Sequence, residues 1–179
     1  DVVALMVLEH QCRVHNLLVS AAMNYRRIHW LQKSLDPAAD PDMGAAVIAA
    51  LSPRNRWAVN VAQAARVVLA AACGFDCPAV STGGNREKAW RIALGESPAA
   101  ILRGPKVRAF FANITGDDDA VTVDVWAARA AEGLSRTDAP SGRRYALIAR
   151  AYRDVAKSLD VPPRHVQAAV WVHVRGSAV

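Results

Sequence analysis

The 179-residue chain is short of cysteine, with three, and short of aromatic residues, at 6%. Cys12, Cys73 and Cys77 are odd in number and no secretory leader precedes them, which predicts reduced thiols in a cytoplasmic setting rather than a disulfide framework. The pair Cys73-Gly-Phe-Asp-Cys77 has no second cysteine pair to complete a metal site, and His10, Cys12 and His15 do not share one helical face. No metal and no cofactor are therefore expected. No apolar run reaches the ~18 residues that a membrane span requires. Beta-branched alternation, the mark of half-buried strands, is scarce as well.

What remains is a chain that is 53% hydrophobic and 21% charged, rich in alanine, with apolar residues recurring at helical spacing. This composition excludes intrinsic disorder and predicts an all-α fold. Lys and Arg number 22 against 16 Asp and Glu, a formal charge of +6. A basic globular chain attracts polyanions before any contact is specific, which favours a partner such as nucleic acid, although charge alone does not separate this from a basic protein with no such partner. A monomer is the expected state.

The spacing predicts one long helix over residues 2–35 and a linker at "DPAADPDMG" (36–44). A short helix "MGAAVIAAL" follows and stops at "SPRN", and Pro53 opens a helix from Arg54 to Ala72. "NREKAWRIALGE" (85–96) reads as a helix capped by Asn85. "SPAAILRGPKVRAFFANI" (97–114) reads as helix, tight glycine turn, helix. Val121-Thr122-Val123 reads as loop, and Asp124 as the N-cap of an alanine-rich helix, because its carboxylate accepts the orphan N–H groups of a first turn. A second linker, "SRTDAPSG" (135–142), precedes two last helices, "RRYALIARAYRDVAKSL" and "PRHVQAAVWVHVRG". Bounded by these linkers, two lobes are expected: residues 1–40 with 136–179, and residues 41–135.

Four pieces occur in a telling order: "AALSPRNRWAVNVAQA" (50–65), "NREKAWRI" (85–92), the hairpin with Lys106 on its second helix, and Val123-Asp124 before a helix bearing Arg129. Together they resemble the helix-hairpin-helix (HhH-GPD) DNA glycosylase superfamily, with its "L-L-S-x-Q" probing loop, "Y-N-x-K-A-x-x-I" helix, hairpin and "V-D-x-x-V/A-x-R" element. The "ALSPRNRW" form looks closest to a phage and actinobacterial branch that includes proposed glutamyl- and putrescinyl-thymine pyrophosphorylases. The hairpin departs from the family's "L-P-G-V-G-x-K": Leu102-Arg103-Gly104-Pro105-Lys106 has one glycine, and Pro105 lacks a backbone donor. No cysteine follows Cys77 to build the iron–sulfur cluster of some members.

The resemblance implies a two-lobed helical fold on double-stranded DNA, encoded by a bacterium or phage, with a target base flipped from the stack. Asp124 would stabilise the oxocarbenium-like sugar and Lys106 would attack C1′ to give lyase activity. Arg54 and Asn55 would act as wedges in the probing loop, with Arg56, Arg103, Gly104, Arg108 and Arg129 on DNA and Trp57 and Trp126 lining a base pocket. Lys106 reads equally as a phosphate contact, and Trp57 more readily as core than as a base platform; Trp171 is assigned to the core. The expected function is a DNA glycosylase acting on a modified or damaged base. The alternatives are a base-hypermodifying enzyme of the pyrophosphorylase type and a non-catalytic DNA-binding module on this fold.

Overall fold

The structure is a computed structural model that describes residues 40, 42–53, 55–80, 83–133 and 137–175, the side chains of 172 and 175 excepted. Eight helices and no strand occur among the described residues. Within them the chain divides into two compact units, one ending at Thr115 and the other starting at Gly116. The long helix expected at 2–35 lies outside the described residues.

The first unit is built around α1 (Met43–Leu51), whose residues from Gly44 to Leu51 are all buried. A helix apolar on every face must be surrounded. Here α2 (Trp57–Ala72), α3 (Gly83–Ala93) and α5 (Pro105–Thr115) pack around it, and the alanines let their backbones come close. A short helix, α4 (Pro98–Ile101), leads into α5 and rests on α3. Helix α2 turns one stripe inward, with Asn60, Ala64, Val67 and Val68 buried at helical spacing. Trp57 on α2 meets Phe110 on α5 edge to face, with centroids 6.2 Å apart.

The end of α1 shows why polar side chains are needed inside this core. The Ser52 N–H turns to Ala49 O rather than to Ile48 O, so the Ile48 carbonyl has no partner within its own helix. Asn60, only 2% exposed, supplies it through Nδ2 at 3.0 Å. Asn55 reaches Leu51 O at 3.4 Å and Gln63 Oε1 at 2.8 Å. Two asparagines therefore close the C-terminus of α1.

The second unit packs α6 (Val125–Glu132), α7 (Gly142–Ser158) and α8 (Pro163–Arg175) on one another. Helix α7 buries Tyr145, Ile148, Ala149, Tyr152 and Ala156, the i, i+3, i+4 pattern of an amphipathic face. The extended stretch 121–123 lies in the same core, with Val121 and Val123 each 1% exposed. Before it, Asp117 Oδ1 accepts the Asp119 and Ala120 N–H groups and turns the chain. Outside the core, Arg144 binds Glu132 at 2.5 Å and also Asp138, and Arg164 binds Asp118 at 2.7 Å.

Three boundaries differ from the sequence-based expectation. The division between units falls at Gly116 instead of the 135–142 linker, because Val121, Val123, Ala127 and Ala128 pack with Tyr145, Ile148 and Tyr152. Helix α2 begins at Trp57 rather than Arg54, since the Asn55 N–H closes a turn on Ser52 O and Arg56 is extended. Helix α3 begins at Gly83, two residues before the expected cap at Asn85.

Candidate functional site

Asp124 stands where an extended, buried strip of chain becomes a helix. Its Oδ1 accepts the N–H groups of Trp126 and Ala127, both at 2.9 Å, so it caps α6. The carboxylate also faces the positive end of the helix dipole. Oδ2 points elsewhere and accepts the indole N–H of Trp171, on α8, at 3.1 Å. An ionised carboxylate offers about four acceptor positions. Three are filled by the described residues, and among these the one left belongs to Oδ2.

The chain on both sides of Asp124 is fixed by tyrosine hydroxyls from α7. Tyr145 donates to Val121 O at 2.7 Å and accepts from the Val123 N–H at 3.2 Å. Tyr152 donates to Ala127 O at 3.1 Å. Burial pushes the Tyr152 phenol up to about 12, and the negative charge of Asp124 adds to the shift. Tyr145 is raised for the same two reasons, burial first, against the opposing effects of the Val123 N–H and Arg153. Both phenols therefore remain neutral donors through the physiological range. Asp124 is half-buried and meets Trp126 through the backbone N–H and Trp171 through the indole; the Trp126 ring lies under the Arg129 guanidinium at 4.6 Å.

A carboxylate oriented by three donors is held in place before any ligand arrives, so it can oppose a developing positive charge without reorganising. Among the described residues no group of three or more His, Cys, Asp or Glu is placed to hold a metal ion. Among them, too, no helix is long and apolar enough to cross a membrane.

The other residues singled out by sequence are distributed as follows. Lys106 lies in the first turn of α5, half-buried, in the unit that ends at Thr115. Gly104 precedes α5, exposed, with nothing within 4 Å of where a Cβ would stand. Arg103 donates to Ala100 O at 3.3 Å, and Arg108 donates to Leu102 O at 2.5 Å and Ala99 O at 3.4 Å. The Arg108 guanidinium thus covers carbonyls at the end of α4. Arg56 is exposed, whereas Asn55 closes α1; Arg54 lies outside the described residues. Trp57 packs against the core of its unit, its indole N–H buried without a partner among the described residues. Asp124, Trp126 and Arg129 are brought together, and Trp171 joins them from 47 residues away. Assignment of Trp171 to the core overlooked that an indole N–H, once half-buried, needs an acceptor.

The sequence model of a family described as "Family of unknown function (DUF7178)" matches residues 25–178. No curated protein and no solved structure matches the chain.

Proposed function

The chain belongs to the DUF7178 family, and we propose that it is a DNA-binding enzyme of the base-excision type with Asp124 as its catalytic carboxylate. The observation that carries this reading is the fixed carboxylate itself, with Oδ1 on the α6 N-terminus, Oδ2 on Trp171 and one acceptor position left over. The order of hairpin, Asp124 and Arg129 along the chain supports it, as does the charge of +6.

In this reading a base leaves the duplex stack before its N-glycosidic bond breaks. The bonding electron pair departs with the base, which takes up a proton, and the sugar becomes oxocarbenium-like. Asp124 opposes that positive charge, and the free acceptor position on Oδ2 orients the water that adds to C1′ and loses its proton. Lys106, if it reaches the sugar instead, gives a Schiff base and then strand cleavage. The basic residues of the hairpin, Arg103 and Lys106 foremost, contact phosphates and set affinity rather than selectivity.

The test is base release from a panel of duplexes, each carrying one modified or damaged base. Asp124→Asn keeps a capping side chain but loses the charge, so release is expected to fall about 10²–10³-fold while stability changes by about 1 kcal/mol. Unchanged release by Asp124→Asn on a base that the wild type removes overturns the assignment. A borohydride-trapped adduct that disappears in Lys106→Ala identifies the lysine as nucleophile. Salt-sensitive binding with no release from any duplex leaves the non-catalytic DNA-binding alternative. A base altered with its glycosidic bond intact points to the hypermodifying one.

A further inference from the structure

Capping explains only half of what Asp124 does. The two N–H groups that an N-cap serves are both taken by Oδ1, and the cap is complete without Oδ2. The bond from Trp171 Nε1 to Oδ2 is therefore extra to the helix end, and it comes from a different helix. The two oxygens turn together about the Cβ–Cγ bond, so the cap bonds to Oδ1 already limit that rotation. A donor on Oδ2, at the other edge of the carboxyl group, is a further tether that narrows the torsional range and with it the direction of the remaining acceptor position.

We infer that Trp171 is a positioning residue for Asp124: its indole N–H fixes the carboxyl plane and so aims the remaining acceptor position of Oδ2 at the reacting sugar or its water. This rests on the base-excision reading. Two features suit the indole to this role. It has one donor and no acceptor, so it holds an oxygen in a single sense and cannot take a proton from it. Its bulk is anchored on α8, which packs against α6, so the donor moves with the helix that carries the cap. A misaimed group costs rate rather than binding, because the error is felt where charge develops.

The experiment compares wild type, Trp171→Phe, Asp124→Asn and the double variant for base release under saturating and limiting duplex. Phe retains the apolar body of the side chain and removes the donor. Trp171→Phe is expected to lower kcat about tenfold with KM unchanged. In the Asp124→Asn background the same change is expected to add nothing, because there is no longer a carboxylate to aim. A purely structural tryptophan behaves differently: it lowers the melting temperature and leaves kcat of the folded protein intact, or lowers kcat equally in both backgrounds. Should Trp171→Phe not fold, benzothienylalanine at position 171 keeps the bicyclic shape with sulfur in place of the N–H, and the same kcat comparison decides. Release by the wild type that is lost in Asp124→Asn but unaltered in Trp171→Phe overturns the positioning role alone. No release by the wild type from any duplex overturns the base-excision reading and the positioning role with it.

Discussion

The two units divide the chemistry of the chain between them. Among the described residues, those up to Thr115 hold 8 Lys and Arg against 5 Asp and Glu, while those from Gly116 onward hold 8 of each. Up to Thr115 the core is aliphatic and alanine-rich, and its buried polar groups serve to close a helix end. From Gly116 onward the core contains tyrosines whose hydroxyls hold the backbone on either side of a carboxylate. A region with unbalanced charge is suited to finding a polyanion, and a neutral region with directional hydrogen bonds is suited to holding one group still. Attraction and precision make different demands on composition, and here they fall in different stretches of sequence.

The comparison breaks most visibly if packing is weakened. Ile48 is fully buried on α1, so Ile48→Ala is expected to cost about 2–5 kcal/mol, the lost transfer energy plus the cavity left behind. Denaturant unfolding measures it, and a loss below about 1 kcal/mol would mean that α1 is not the centre of its unit.

The tyrosine-held unit should instead be sensitive to alkali. Because the folded state raises the Tyr152 phenol to about 12, its contribution is complete below the ordinary value of about 10 and is lost as pH rises from there toward 12. The loss is on the order of 2 kcal/mol. Tyr152→Phe removes the bond to Ala127 O, at about 1 kcal/mol near neutral pH, and should flatten this alkaline decline. A decline as steep as that of the wild type would assign the alkaline sensitivity to other groups.

The smallest effect is the one that addresses charge directly. Arg103→Ala or Lys106→Ala should each lower the slope of log affinity against log salt by about one for a DNA duplex, whereas Arg143→Ala and Arg150→Ala, both exposed on α7, should leave it unchanged. Equal changes from both pairs would erase the electrostatic distinction between the units.

Much of the helical layout was legible because its signals are local. Ser52-Pro53, Ser97-Pro98 and Gly104-Pro105 interrupt helices where the structure interrupts them, and Asp124 caps the helix that follows it. The unit boundary was not legible. The Pro- and Ser-rich segment at 135–142 looks more like a divide than Gly116-Asp117-Asp118-Asp119, and only the burial of Val121 and Val123 against α7 reveals which side they join. The second partner of Asp124 was hidden for a related reason. Trp171 stands between Val170 and Val172, which suggests core, and its acceptor lies 47 residues away in sequence. Asn55 was misleading in the opposite way: an exposed-looking polar residue in a loop turned out to close a helix beside it.

Helix α1 has one more implication, which concerns how the sequence can vary rather than how it folds. From Gly44 to Leu51 no residue faces solvent. No position there can take up a charge, a modifying group or a protease without opening the unit first. Mutation can explore the hairpin and the loops through a change of surface, but in this stretch every exchange is judged by volume. Drift among distant relatives should accordingly be slowest in "GAAVIAAL" and confined to small or aliphatic exchanges. That makes an otherwise featureless run of alanines the firmest place from which to align them.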